Sequence, residues 1–373
     1  MESLGLELNF KVFRLLGAWN SSGSQNGTTR FLYFLYTIIV LMVIFIYLML
    51  LIVDTFFQKD ITTLVGNLNI SCVVTACYFK IVLLLIKHKE IIEMMKILEL
   101  NDCKPNNEIE RDILHGYKDR ARFTSKMFLI FSAITVSVLM IAPFTYNGGL
   151  EKRNLLFRVR GSHDEKNLFI YVITNLHDLF LVGFGMPLNA SFDTLIAGLM
   201  VLTCGQYELL YDRLRHATTY SKICNCVRHH QCILKFSKCI DDLFGTLVFV
   251  QCFMSMIIVC CLIYIVALMK SVVNRFESGC FLSVMLVQLL LYCWNGNEVF
   301  SMSQGVATST LNNEEWCNLS IRSKKALLMM SIRSYNTEQL KASSFLNLSL
   351  TTYMMILKTS YSMFTLLQQV SSD

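Results

Sequence analysis

Residues 31–53 read FLYFLYTIIVLMVIFIYLMLLIV, an apolar run without one charged side chain. A helix needs about 20 mostly apolar residues to cross the hydrocarbon of a bilayer, and this stretch is long enough to do so. It is also far longer than the apolar core of a secretory signal peptide. The stretch therefore predicts a membrane-spanning helix that remains in the protein.

The composition of the whole chain also indicates a membrane protein. Hydrophobic residues make up 54% of the 373 residues and charged residues only 16%, whereas soluble proteins carry about 25% charged residues. A chain this apolar is not a disordered interaction segment. Its basic residues are spread over several loops and form no single basic face, which argues against nucleic-acid binding.

Seven stretches meet the length test for a spanning helix. They are residues 31–53, 61–86, 127–146, 168–202, 243–268, 280–302 and 343–367. The fourth is too long for one direct crossing and contains Pro187, so we predict one kinked helix that enters from outside the hydrocarbon. Two short spans are the alternative. The predicted fold class is an all-α, seven-transmembrane helical membrane protein.

The distribution of basic residues predicts the orientation of these spans. Most of the 33 Lys and Arg residues lie in the N-terminal tail and in the loops after spans two, four and six. Such segments stay on the cytoplasmic side, so the N-terminus is predicted to be cytoplasmic and the C-terminus extracellular. Apolar residues at helical spacing continue past span two at Ile91 and Met94 and past span four at Leu210 and Leu214. These helices are predicted to extend into the cytosol, with a break between them at residues 101–107, which include Pro105.

The sequence contains no constellation typical of catalysis, so we predict no enzyme, no cofactor and no metal. His229 and His230 lie between Cys226 and Cys232, but this spacing does not match the usual paired zinc frameworks. An ordinary helix surface is the preferred interpretation of this segment.

Two charged positions lie within the predicted spans. Lys80, near the cytoplasmic end of span two, is expected to extend its ammonium to the interface, and an ion pair inside the membrane is the alternative. His177 and Asp178, near the outer part of span four, are adjacent and point in different directions on a helix. They are expected to form the hydrated rim of a cavity, with Asp178 as a candidate ligand contact.

The last span is far more polar than the first, as expected of a helix that packs in a bundle interior or lines water. Its residues at three- and four-residue spacing form one stripe. The stripe members that we predict as pore and gate residues are Leu357, Ser360, Phe364, Leu367 and Gln368. Bulky apolar side chains on it could close a cation pore by dewetting. One helix cannot enclose a pore, so this interpretation requires several subunits; a helix buried in a monomeric bundle is equally compatible with the pattern.

Four features in the last quarter of the chain resemble the insect odorant receptor family. They are YCWNGNEV at 292–299, Trp316 with the basic helix that follows it, FLNLS at 345–349 and ILKTSYSMFTLL at 356–367. Length, number of spans and orientation match along the whole chain. The resemblance implies an odorant-binding tuning subunit of a tetrameric, ligand-gated, non-selective cation channel, assembled with the odorant co-receptor.

The resemblance also implies how the chain is divided. Residues 1–302 would form the transmembrane bundle with a ligand pocket in its outer half, and residues 303–342 a cytoplasmic anchor helix and linker. Residues 343–373 would form the pore-lining span and a short extracellular tail. The anchor contacts between subunits would include Trp316, Leu327 and Leu328.

Family structures imply an odorant pocket among spans two, three, four and six. An apolar cavity there would suit a small, volatile, mostly apolar ligand. By depth in the membrane, the predicted pocket residues are Ile70, Val73, Val136, Met140, Asn175, Leu179, Gly183, Phe184, Met285 and Gln288. Plain helix packing is the alternative for each of them.

The predicted partners are therefore the co-receptor, a volatile odorant, membrane lipid and permeating cations. The predicted location is the plasma membrane, and the resemblance implies the dendrite of an olfactory sensory neuron. A gustatory-type receptor channel is the nearest alternative. A G-protein-coupled receptor is a further one, disfavoured by the inverted orientation and by the lack of an outer cysteine pair.

Overall fold

The computed structural model describes residues 4–19, 27–57, 61–145, 168–268, 272–335, 339–342 and 346–372. The helices are α1 (Glu7–Leu15), α2 (Gly27–Phe57), α3 (Ile61–Ile86), α4 (His88–Ile97), α5 (Glu108–Thr145), α6 (Leu168–Arg215), α7 (Tyr220–Leu268), α8 (Val272–Leu311), α9 (Ile321–Tyr335) and α10 (Leu350–Ser372). Two short strands, β1 (Lys341–Ala342) and β2 (Leu346–Asn347), lie between α9 and α10.

Six helices in the described part of the chain are long and apolar enough to cross a membrane, namely α2, α3, α5, α6, α7 and α8. The prediction of a helical, multi-span membrane protein is confirmed. The last predicted span corresponds to α10, which is helical but is not among these six.

The predicted start of the last span, at Ser343, is wrong. The helix begins only at Leu350, and the chain before it forms an antiparallel hairpin in which Ala342 pairs with Leu346. Residues 343–345 lie outside the described residues. The backbone amide of Lys341 donates a hydrogen bond of 3.1 Å to Asp241 Oδ1 on α7, so a contact distant in sequence holds this segment extended.

Helix α6 forms the centre of the bundle. Residues 188–207 are all buried, and α6 packs against α5, α8, α7 and α1. As predicted, α6 runs through Pro187 as one helix and not as two short spans; the predicted kink stays a prediction. By contrast, α2 exposes apolar side chains along its length, including Phe34, Ile39 and Phe56. An exposed apolar face of this kind is expected on a helix that faces lipid.

The predicted extensions beyond the spans are helical. Helix α5 begins at Glu108, α6 ends at Arg215 and α7 begins at Tyr220. The apolar residues of α4, including Ile91 and Met94, are buried against the other helices. Asn101 starts a short 3-10 turn between α4 and α5, so the predicted break at 101–107 is confirmed.

Candidate functional site

A cavity of about 280 Å³ lies among α2, α3, α5, α6, α7 and α8. Its wall is mostly apolar: Phe180 and Phe184 of α6 stack with their ring centres 5.1 Å apart, and Phe281 of α8 completes the aromatic surface. Ligand sites are generally concave and largely apolar with a few polar groups. This cavity is therefore the candidate ligand site.

Three of the predicted pocket residues line this cavity, namely Ile70, Val73 and Phe184. On α5 the lining residue is Leu139, between the predicted Val136 and Met140, which are both half-buried beside it. The role of these residues in ligand binding remains a prediction.

Three other predicted pocket residues lie on α6. Leu179 is 48% exposed, and Gly183 is exposed with no atom within 4 Å of a Cβ placed on it. The side chains of Asn175, and of His177 and Asp178 beside it, lie outside the described residues. The α6 side chains that line the cavity are those of residues 180, 182, 184 and 186, together with Gly185.

Met285 and Gln288 of α8 do not line the cavity, contrary to the sequence-based expectation. Both are almost fully buried, and Gln288 Nε2 donates a hydrogen bond of 2.5 Å to Asp193 Oδ2. The cavity is instead lined by Glu277, Ser278 and Phe281, one or two turns earlier on α8. The cavity therefore meets α8 nearer to its N-terminal end than we predicted.

Sequence reasoning missed several lining residues, of which Tyr47, Asn69, Glu277 and Ser278 carry polar groups. Asn69 is only 3% exposed. A buried amide in a membrane span is costly, so Asn69 gave a signal, but Asn67 in the same span gives the same signal and bonds Asp54 Oδ2 instead. Tyr47 and Phe281 give no such signal, because aromatic residues are common in any span.

Lys80 does not extend to the interface, so the snorkelling interpretation is wrong and the alternative ion pair is present. Its side chain is 0% exposed and its ammonium lies 2.5 Å from Asp193 Oδ1, whose side chain is 1% exposed. Lys80 also donates a hydrogen bond to Asn189 Oδ1. The physical reason is that α6 supplies an anion and an amide at the depth of Lys80, so the ammonium needs no path to water.

Asp193 accepts hydrogen bonds from three side chains on two helices. Besides Lys80 on α3, it is reached by Gln288 Nε2 and by Tyr292 Oη of α8, each at 2.5 Å. Charge-assisted bonds of this kind are short and strong. We call Lys80, Asn189, Asp193, Gln288 and Tyr292 the buried network.

The buried network and the cavity are neighbours on two helices. Cys77, which lines the cavity, precedes Lys80 by one turn of α3, and Gly185, also a lining residue, precedes Asn189 by one turn of α6. Cys77 Sγ lies 3.6 Å from the Gly185 carbonyl oxygen and donates to it. Movement of α3 against α6 at the cavity would therefore also strain the buried network.

The predicted pore stripe on α10 is not uniformly accessible. Ser360 is fully buried and donates a hydrogen bond of 3.1 Å to the Met256 carbonyl oxygen on α7. Leu357 and Phe364 are half-buried, and Gln368 is exposed. The side chain of Leu367 lies outside the described residues. The exposed large apolar side chains of α10 are spread over more than one side of the helix and include Met354, Met355, Tyr361, Met363 and Leu366.

The predicted anchor residues lie in three different environments. Trp316 is half-buried in a short turn before α9, Leu327 is completely buried within its own chain, and Leu328 is 56% exposed. Met329 and Ile332 are exposed beside Leu328. The outward face of α9 thus presents apolar side chains that the described part of this chain does not cover.

The paired histidines on α7 lie before its apolar part and are buried among protein groups. His229 Nε2 lies 2.8 Å from Gln206 Oε1, and its Nδ1 lies 3.3 Å from Arg213 Nη1. Because arginine can only donate, Nδ1 accepts and Nε2–H donates, which requires a neutral ring. Among the described residues, no group of three His, Cys, Asp or Glu side chains could hold a metal ion.

Burial makes this histidine pair sensitive to acid. Burial, followed by the Arg213 charge, lowers the pKa of His229 from 6.5 to about 3, and burial likewise lowers the pKa of His230 to about 4. Below pH 6.5 these histidines take up protons in the unfolded chain but not in the folded chain. Their contribution to the free energy of unfolding is therefore complete above pH 6.5 and is lost as the pH falls below it. We expect the melting temperature in detergent to drop between about pH 7 and about pH 5.5.

The matched variants separate this effect from general acid sensitivity. His229→Gln should weaken the dependence on pH, whereas His115→Gln, at an exposed position on α5, should leave it unchanged. A melting temperature that does not vary across this pH range in the unmodified protein would contradict the prediction.

Comparisons with known proteins agree on one family. A family model described as 7tm Odorant receptor matches residues 60–361. Odorant receptor Or1 of Anopheles gambiae is 24% identical over 287 residues, covering 67% of this chain and 68% of that protein. Odorant receptor 46a, isoform A, of Drosophila melanogaster is 23% identical over 294 residues, covering 75% of each.

Solved structures share the fold. The insect olfactory receptor OR5 from Machilis hrabei matches with a TM-score of 0.88 at 14% identity, covering 98% of this chain and 97% of that one. The same receptor in complex with eugenol matches with a TM-score of 0.87.

Proposed function

The chain belongs to the insect odorant receptor family, and from that premise we propose that it is the odorant-binding tuning subunit of a heteromeric, ligand-gated cation channel. It is a multi-pass membrane protein that detects odorants, and its family is one of receptors rather than enzymes. The proposed partner is the odorant co-receptor and the proposed location is the plasma membrane, with the N-terminus in the cytoplasm.

The observation that carries this proposal is the aromatic cavity inside the bundle. A volatile odorant gains free energy by leaving water for an apolar surface, and Phe180, Phe184 and Phe281 supply that surface. We propose Ile70 and Val73 as the opposite wall. Ligand binding opens the channel only if the open arrangement of these helices binds the odorant better than the closed one.

Assembly is supported by two outward faces of the chain. The α9 face at Leu328 and Met329 is exposed, and so is Tyr361 on α10, whose ring centre lies 6.0 Å from that of Phe364. We propose that the α9 face forms the cytoplasmic contact between subunits. We propose that α10 lies toward the shared pore axis, with Leu357, Phe364 and Gln368 as the stripe members nearest to it, since one chain cannot enclose a pore.

Electrical recording tests the proposed function. We expect an odorant-evoked cation current in cells that express this chain with the co-receptor, and none in cells that express it alone. Val73→Trp should shift the dose–response curve by about tenfold or more, because the indole fills the cavity and excludes the ligand.

The matched control is Ile39→Trp, at an exposed position on the lipid-facing helix α2, which should leave the curve unchanged. A current from the chain alone would contradict the heteromer. No current in either case, or a current that requires a G protein, would contradict the channel.

A further inference from the structure

The polar side chains of the cavity wall are Tyr47, Asn69, Glu277 and Ser278; the two hydroxyls and the amide nitrogen can donate hydrogen bonds, and the amide oxygen and the carboxylate can only accept them. Among the described lining residues, Glu277 alone carries a charge. The thiol of Cys77 already donates to the Gly185 carbonyl. Lys80, one turn after Cys77 on α3, is committed to Asp193 and Asn189.

Asn69 contributes a second acceptor, and it is unsatisfied. Its side chain is 3% exposed, and its Oδ1 atom is buried without a hydrogen-bond partner among the described residues. Buried polar atoms are nearly always paired, and an unpaired one costs stability. Because Asn69 also lines the cavity, the partner of this oxygen can come from a molecule that occupies the cavity.

We propose that the cavity selects odorants that carry a hydrogen-bond donor, namely a hydroxyl or amino group, on a small apolar body. Asn69 Oδ1 accepts from the donor, and Glu277 is the acceptor that favours an amine. This inference rests on the proposed function, since it takes the cavity as the odorant site.

The selection follows from what each ligand leaves unpaired. An alcohol satisfies Asn69 Oδ1 and places its chain against the aromatic wall. An ether or ketone of the same size offers only acceptors, so it fills the cavity but leaves that oxygen unpaired. Sites with a buried polar group discriminate strongly against analogues that lack its partner. We expect about a tenfold or larger difference in effective concentration between the two classes.

The volume of the cavity limits the ligand as well. About 280 Å³ lies at the lower limit of the range of about 300–1,000 Å³ for small-molecule pockets. A six-carbon chain with one polar end is therefore a suitable probe. Hexanol, hexylamine and methyl pentyl ether have similar sizes and differ in donor capacity.

The test measures dose–response curves for these three probes in cells that express the chain with the co-receptor. In the unmodified protein, hexanol or hexylamine should act at about tenfold lower concentration than the ether. Asn69→Leu has a similar volume and should abolish this preference by weakening the donor ligands and leaving the ether unchanged. Glu277→Gln should weaken only hexylamine, which separates the amine from the alcohol. Glu90→Gln, at an exposed cytoplasmic site, is the control.

Equal potency of all three probes in the unmodified protein, or a stronger response to the ether, would overturn the inference without any need for a variant. The proposed function would then still stand, because the probes evoke current. An unchanged preference in Asn69→Leu protein that reaches the surface would also overturn the role of Asn69. Absence of current with every probe would overturn the proposed function and this inference together.

Discussion

Asp193→Asn should remove most of the folded receptor from the cell surface. The change leaves the shape of the side chain but removes the negative charge that lies 2.5 Å from the Lys80 ammonium. Breaking a buried pair by removing one charge costs about 3–5 kcal/mol, because the other charge stays buried without compensation. That is a large part of the stability of a typical domain. Surface labelling and the melting temperature in detergent measure the loss.

A second substitution tests whether the loss in Asp193→Asn comes from the uncompensated charge of Lys80. Lys80→Met in the Asp193→Asn background removes the stranded ammonium and should restore much of the surface expression. Glu90→Gln breaks the exposed pair of Glu90 with Lys87 and should cost less than about 1 kcal/mol. Normal surface expression of Asp193→Asn alone would show that Lys80 does not depend on this carboxylate.

Gly296→Ala is expected to have the second-largest effect, chiefly on channel activity. A Cβ at this position would lie 2.8 Å from the Leu348 carbonyl oxygen and 2.5 Å from Leu348 Cβ. The amide of Leu348 is bonded to the Leu340 carbonyl at 2.8 Å, so this backbone cannot move alone. Overpacking of this kind costs about 1–3 kcal/mol, and it would displace the start of α10. Odorant-evoked current should fall by at least about tenfold, with a smaller loss of surface expression.

Gly116→Ala provides the control, because a Cβ there meets no atom within 4 Å and alanine favours a helix. It should leave current and expression unchanged. If Gly296→Ala carried a normal current, α8 would have to separate from Leu348 without affecting α10, and the close contact would have no role in gating.

Elements that depend on local pattern could be predicted from the sequence. Six spans, the continuous α6 and the break at Asn101 follow from hydropathy, helical spacing and turn residues close together in the chain. The β1–β2 hairpin could not be predicted, because its extended form depends on pairing of Ala342 with Leu346 and on the Asp241 contact with α7. No pattern within residues 339–350 specifies either contact.

The candidate site was only partly predictable for the same reason. We predicted Ile70, Val73 and Phe184 as pocket residues from their depth in the membrane alone. These three side chains do line the cavity. On α8, depth pointed to Met285 and Gln288, but the cavity meets this helix one or two turns earlier, and Gln288 bonds to Asp193 instead. The partner of Lys80 lies 113 residues away, and a single sequence carries no signal that brings two such positions together.

The separation of Lys80 from Asp193 also has a consequence for biogenesis. Ribosomes add about 5–20 residues per second, so roughly 6–23 seconds pass between synthesis of Lys80 and synthesis of its counter-charge 113 residues later. During that interval the α3 segment enters the translocon with an ammonium whose insertion costs about 2.5–3.5 kcal/mol. The apolar residues of α3 therefore have to offset this cost on their own until α6 arrives and the pair can form.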